Sequence, residues 1–336
     1  MSNLTRDFFI GLANNRFLNT QAKKWGFSLG ADRFVAGTSI STVMKEVKRL
    51  NAQGISCTLD NLGEFVSDKT EASEAKEKII KLLETIHEEH ADCHLSVKLT
   101  QLGLDINEAY CMENMKAILD IATRYGIFIN IDMEDYAHYH ETLRIVKTLH
   151  KTYDLVGTVI QTYLHDAANA LHDLADMRVR IVKGAYKESA EVAYQDKSDI
   201  DFNFIKLAKE RLLSGTFTSF GTHDHQIIEE LKNFAAENNI PTDQFEFQML
   251  FGFRTNMQHQ LAEEGYQFCT YIPFGVDWFG YFMRRLAERP QNVNLIIKDA
   301  LYTEDNKLKK GPLIGGAAAL SAVLLWRGSV KRKKKR

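Results

Sequence analysis

Proline is scarce in this 336-residue sequence, with four in all, and no long Ser/Gly/Pro-rich linker divides it. That argues against a string of domains on flexible connectors and predicts one domain plus a tail. Cysteine is equally scarce. Cys57, Cys93, Cys111 and Cys269 form no C-x-x-C pair, so no zinc or redox motif is present and free thiols in a reducing compartment are expected. The opening residues MSNLTRDFFIGLANNRFL lack a long apolar stretch and a small-residue cleavage site, and predict no secretory signal. A phosphate-binding G-x-G-x-x-G turn is missing too. Residues 57–64, after the first β-rich run, read CTLDNLGE, which disfavours an open doubly wound sheet.

What is present is a soluble globular composition, 45% hydrophobic and 26% charged, with material for a large core. The net charge of −2 conceals an asymmetry. Residues 307–336 hold ten of the 42 basic residues and no acid, which leaves 32 basic against 44 acidic residues in the rest, a net of −12. An acidic body with a basic tail places an interaction signal in the tail.

Eight short β-rich runs recur along the chain, at 55–60, 94–99, 127–132, 156–161, 179–184, 217–222, 245–250 and 268–273. Helical patterns follow them at 71–89, 108–125, 139–150, 164–176, 201–213, 225–238, 255–264 and 277–289. Strand then helix, eight times over, predicts a (β/α)8 barrel. The expected organisation is a helical leader over 1–54 that includes a helix at 39–53, a barrel over 55–300 and a tail over 301–336.

In such a barrel the chemistry sits at the carboxyl ends of the strands. The polar residues there are Lys98, Asp132, Glu134, Gln161, Arg180, Lys183, Tyr186, Thr222, His223, Asp224, Gln248 and Tyr271, with Arg284, Arg285 and Glu288 on the last helix. Any one of these could be a solvated strand end or a local ion pair. Lys98, Arg180 and Lys183, however, are cations set in apolar runs, and buried cations need partners or an anionic ligand. His223-Asp224-His225 lacks further ligands, and no metal is expected.

The ordered runs SVKLTQLG (96–103), INIDMED (129–135), VIQTY (159–163), RIVKGAY (180–186), GTHD (221–224), EFQMLFG (246–252), YIPFG (271–275) and YFMRRLAE (281–288) resemble the proline dehydrogenase family over roughly residues 40–300. The resemblance implies a β/α barrel with FAD at its mouth and hydride transfer from proline C5 to flavin N5, giving 1-pyrroline-5-carboxylate. It implies that Lys98, Arg284 and Arg285 bind the L-proline carboxylate, that Asp132 is the active-site acid, and that Arg180 sits by flavin N5. Glu288 joins the substrate group because it can pair with either arginine, Tyr271 packs on the proline ring, and Tyr186 helps to enclose the site. FAD contacts are implied for Met133, Gln161, Arg180, Lys183, Gly184, Ala185, Thr222 and His223. Lys187 departs from the pattern, standing where the bifunctional relatives carry a Trp near the cofactor.

Two other readings remain open at this stage. One is a flavin-free lyase or aldolase with Lys98 as a Schiff-base amine. The other is a non-catalytic, membrane-tethered scaffold. The tail contains the apolar stretch GPLIGGAAALSAVLLW (311–326), flanked by Lys309-Lys310 and by Arg327 with KRKKKR at 331–336. As a helix it would reach about 24 Å, too short for a full span of about 30 Å. A shallow or interfacial contact with an anionic membrane is expected, with the body cytoplasmic and peripheral at the inner face. A quinone or another acceptor takes the electrons in the family reading, and no nucleic-acid partner is expected.

Overall fold

A computed structural model of the protein describes Phe9, residues 11–13, Leu18 and residues 31–288. Eight parallel strands close into a barrel in strict sequence order. They are β1 (Ser56–Asn61), β2 (Cys93–Val97), β3 (Ile129–Ile131), β4 (Val156–Gln161), β5 (Val179–Val182), β6 (Thr218–Gly221), β7 (Phe245–Leu250) and β8 (Gln267–Phe274). Closure is made by β8 against β1, with Thr58 opposite Tyr271 and Asp60 opposite Pro273. This is the barrel that the repeated strand–helix pattern predicts.

The helices of this unit are α1 (Ile40–Asn51), α2 (Lys69–Glu88), α3 (Glu108–Tyr125), α4 (Tyr136–His150), α5 (Ala167–Asp173), α6 (Lys197–Ser214), α7 (His225–Glu237) and α8 (Thr255–Glu263). Their starts are encoded locally. Asp68, Asn107, Asp135 and Asp224 each accept a backbone N–H from the first turn of the helix that follows, a cap contributing about 1 kcal/mol each. The compact unit runs from Ile40 to Phe274, so α1, expected in the leader, clusters with the barrel. Asn51 at its end donates to the carbonyls of Ile55 and Asp92 and accepts from Asp92 N–H, tying the entries of β1 and β2.

The strands sort their residues by parity. Leu59, Leu95, Val97, Ile129, Ile131, Ile181, Phe220 and Phe247 are buried apolar residues. The alternate positions Thr58, Asp60, Ser96, Asn130, Arg180, Ser219, Glu246 and Gln248 are buried and polar. Arg180 on β5 bonds Ser96 on β2, and those strands are not neighbours. Such a bond must cross the interior, so the polar set faces inward and the apolar set packs beneath the helices.

A second unit comprises, among the described residues, the N-terminal ones up to Ser39 and residues 275–288. It holds a 3-10 turn at Ala31–Arg33 and the helix α9 (Trp278–Glu288). Gly275 N–H donates to Gly37 O at 3.0 Å. The rings of Phe34 and Phe282 are 6.2 Å apart.

Candidate active site

The interior polar residues converge near the carboxyl ends of β1, β2, β3, β5 and β8. Lys98 stands one residue past β2 and Asp132 one residue past β3. Lys98 Nζ donates to Asp60 Oδ2 at 2.8 Å and lies 3.6 Å from Asp132 Oδ2. Arg180 Nη1 donates to Asp132 Oδ1 at 2.9 Å, and Nη2 donates to Ser96 Oγ at 2.9 Å. Asn130 Nδ2 also donates to Asp132 Oδ1, at 3.0 Å. The Tyr271 hydroxyl is 2.8 Å from Asp60 Oδ2 and 2.8 Å from Asp132 Oδ2, and the Arg180 guanidinium lies 5.2 Å from the Tyr271 ring centre.

The cluster thus holds two cations and two carboxyls, and its electrostatics follow from burial. Burial alone pulls the Lys98 ammonium down, but Asp60 and Asp132 together hold its pKa above the ordinary lysine value. The Asp60 carboxyl is raised by burial and by Asp132, with Lys98 pulling the other way. Burial, then Asp132 and Asp60, push the Tyr271 phenol well up. An amine held as an ammonium is a poor nucleophile, and this argues against the Schiff-base role for Lys98.

A second group lines the ends of β3 to β6. Gln161 Nε2 donates to Glu134 O at 2.8 Å, and Gln161 Oε1 accepts from Ala185 N–H at 3.4 Å. Glu134 accepts from Thr100 Oγ1 at 2.6 Å and from Thr100 N–H at 3.2 Å. Burial pushes its carboxyl up to about 7, against the pull of the Thr100 bonds. Lys183 pairs with Asp201 and, at 3.2 Å, with Asp224. Thr222 Oγ1 accepts from Asp224 N–H. His223 Nε2 accepts from Leu250 N–H at 3.0 Å. Met133 is buried. Gly184 has φ +117°, and a Cβ there would meet the Tyr163 ring at 2.3 Å, so the glycine is required by its own backbone and by Tyr163.

The structure therefore brings Lys98, Asp132, Arg180 and Tyr271 into one network, and groups Gln161, Lys183, Gly184, Ala185, Thr222 and His223 along neighbouring strand ends. Arg284 and Arg285 are half-buried on α9, with the Arg285 guanidinium 4.8 Å from the Tyr281 ring centre. The Glu288 side chain and the tail over 301–336 lie outside the described residues. Asp60 is the member that the sequence reading passed over. A signal was available: Thr58/Asp60, Ser96/Lys98, Asn130/Asp132 and Glu246/Gln248 repeat polar residues at a spacing of two, the mark of a polar barrel interior.

One residue before β5, the Arg178 guanidinium lies 4.2 and 4.4 Å from the ring centres of Phe128 and Phe217 and pairs with Glu246 at 2.9 Å. His94, Glu246 and Cys269 offer donor atoms within 4.8 Å of one another. The Arg178 charge on Glu246 opposes a metal ion there.

Several buried polar atoms have no hydrogen-bond partner among the described residues, among them the donor Arg180 Nε and the acceptor Gln248 Oε1. Burying such atoms unsatisfied costs about 1–3 kcal/mol each. The pyrimidine edge of a flavin carries both acceptors and an N–H donor, so its chemistry suits this pair.

Residues 43–296 match the proline dehydrogenase family. The chain is 46% identical over 300 residues to "Proline dehydrogenase 1" of Bacillus subtilis subsp. natto, covering 89% of this chain and 99% of that one. It is 40% identical over 286 residues to "Proline dehydrogenase" of Deinococcus radiodurans, covering 83% and 91%. Among solved structures, proline utilization A (PutA) from Bdellovibrio bacteriovorus, inactivated by N-propargylglycine, superposes with a TM-score of 0.73 at 26% identity. That match covers 82% of this chain and 34% of the longer protein.

Proposed function

The chain belongs to the proline dehydrogenase family, and on that premise we propose that it oxidises L-proline to 1-pyrroline-5-carboxylate, with FAD as cofactor and a quinone as the electron acceptor. The observation that carries the reading is the buried Lys98–Asp132–Arg180 cluster at the strand ends. It has fixed positive charge for a carboxylate and fixed negative charge beside it.

Proline enters as a zwitterion, with a carboxylate next to a secondary ammonium. Lys98 supplies a point charge for the carboxylate, and Arg284 and Arg285 supply planar forks for the same group. Asp132 restrains Lys98 and Arg180 and offsets their mutual repulsion. Tyr271, its hydroxyl tied to Asp60 and Asp132, presents a ring of fixed plane to the substrate's apolar face. Arg180, Gln161, Lys183, Gly184, Ala185, Thr222, His223 and Met133 would hold FAD, with Gln248 as a further acceptor. Bound there, FAD would supply the hydride acceptor for proline C5. A fixed cation such as Arg180 beside it favours the electron-rich product state.

Among the described residues no helix is long and apolar enough to cross a membrane. Contact with an anionic membrane surface is assigned to the tail, through its apolar stretch and basic end. The test of the function is proline-dependent reduction of an artificial dye by FAD-loaded protein, with the product identified by mass as two hydrogens lighter than proline. Turnover with proline supports the reading. No dye reduction by protein that carries FAD would sink it.

A further inference from the structure

Lys98 is a buried lysine whose role requires it to stay charged. A lysine this deep in a protein loses its proton readily unless something compensates its desolvation. Asp132 lies 3.6 Å away and is already committed to Arg180 and Asn130. Asp60 is closer, at 2.8 Å, with its side chain only 3% exposed. It also occupies the right place in the barrel. Asp60 on β1 stands opposite Ser96 on β2, two residues before Lys98, and opposite Pro273 on β8, two residues after Tyr271. One carboxyl therefore reaches the lysine on one side and the phenol on the other.

We propose that Asp60 is the positioning residue of the substrate-binding lysine: it keeps Lys98 a cation inside the barrel and fixes the direction in which its ammonium points. The inference rests on the proline dehydrogenase reading, in which Lys98 receives the substrate carboxylate. Asp60 itself need not touch substrate. The charged and titratable groups acting on Lys98 are Asp60 and Glu64 from β1 and its loop, Asp132 and Glu134 after β3, Arg180 through Asp132, and Tyr271 through both aspartates. The two aspartates, with Glu64 behind them, raise the Lys98 pKa against the opposing effect of burial. Removal of Asp60 leaves one close carboxylate to oppose desolvation, and the lysine then releases its proton at lower pH.

The sign of the effect follows. At neutral pH the Asp60→Asn protein still carries a charged Lys98 and binds carboxylate. At alkaline pH it does not, whereas the unaltered protein does. The probe is tetrahydrofuran-2-carboxylate, which has the ring and carboxylate of proline but no amine to titrate. Its Kd is measured on FAD-loaded protein between about pH 7 and about pH 10. The unaltered protein is expected to vary by less than about threefold, and Asp60→Asn to weaken by about tenfold per pH unit once Lys98 deprotonates. Adding Lys98→Arg to Asp60→Asn flattens the profile again, because a guanidinium keeps its charge throughout.

Parallel profiles for the unaltered protein and Asp60→Asn overturn the proposal, as does an alkaline limb that survives Lys98→Arg. If Asp60→Asn does not fold, Asp60→Ser gives the same reading. The unaltered protein tests the idea without any variant, since a steep loss of binding by about pH 9 would show that Asp60 does not hold the charge. Failure of the underlying function looks different: unaltered protein that carries FAD yet neither binds the probe nor oxidises proline.

Discussion

Arg180 and Asp132 meet across the barrel interior, Nη1 to Oδ1 at 2.9 Å, although one is on β5 and the other one residue past β3. Both are more than nine-tenths buried, at 5% and 9% exposure. A pair in such surroundings is costly to break from one side, because the remaining charge stays buried without its partner.

The first prediction follows from that pair. Arg180→Met is expected to lower kcat by about 100-fold, more than it raises KM, because the charge acts on the state formed as hydride leaves proline. The reduction potential of bound FAD falls as well. A stability loss of about 3 kcal/mol accompanies it, from the stranded Asp132. Steady-state kinetics, a potentiometric titration and a melting curve check the three effects, and unchanged turnover with an unchanged potential would remove Arg180 from this role.

Glu134 gives a pH prediction. Its folded carboxyl stands at about 7, above the ordinary value of 4.5, because it is buried. A raised acid favours the folded state while protonated. Its contribution is complete below the ordinary carboxylate range and is lost as pH rises through about 7, to the extent of up to about 3 kcal/mol. Melting temperature should therefore decline between about pH 5 and about pH 8, and Glu134→Gln should shallow that decline. An identical slope in the variant would contradict the assignment.

The carboxylate clamp is tested on α9. Arg285→Met is expected to raise KM for proline by the equivalent of about 2–3 kcal/mol, the cost of a lost charge-assisted fork. FAD content should stay constant. A normal KM would take Arg285 out of the substrate site.

The barrel was legible in the sequence because its outward strand residues are apolar and its helices carry their own caps, Asp68, Asn107, Asp135 and Asp224. Those signals are local. Lys98, Asp132, Arg180 and Tyr271 were legible as polar residues at strand ends, and the structure joins them. Asp60 was hidden because its importance is not local: its partners are 38 and 211 residues away in sequence, and only barrel closure brings them together. At Gly184 the positive φ and the Tyr163 ring are sufficient by themselves to require glycine, which no local sequence signal reports. The partners of Lys183, Asp201 and Asp224, lie on or beside other elements and could not be named from its position in the strand.

The tail carries a separate prediction. Deleting residues 307–336 should leave dye-linked proline oxidation nearly unchanged, since every proposed site residue lies at or before Glu288. The same deletion should abolish co-sedimentation with anionic liposomes, to which each Lys or Arg contributes about 1 kcal/mol. Salt should weaken binding of the full-length protein only in part, because apolar burial is not screened. Equal sedimentation by both forms would mean that the tail binds something other than a membrane.

The central claim is that this barrel oxidises proline through a bound flavin, and anaerobic titration tests it most directly. Protein supplied with FAD and purified should be yellow, and L-proline added without oxygen or dye should bleach the flavin absorbance as 1-pyrroline-5-carboxylate forms. A protein that stays colourless after FAD is supplied, or a flavin whose spectrum proline leaves unchanged, would contradict the account.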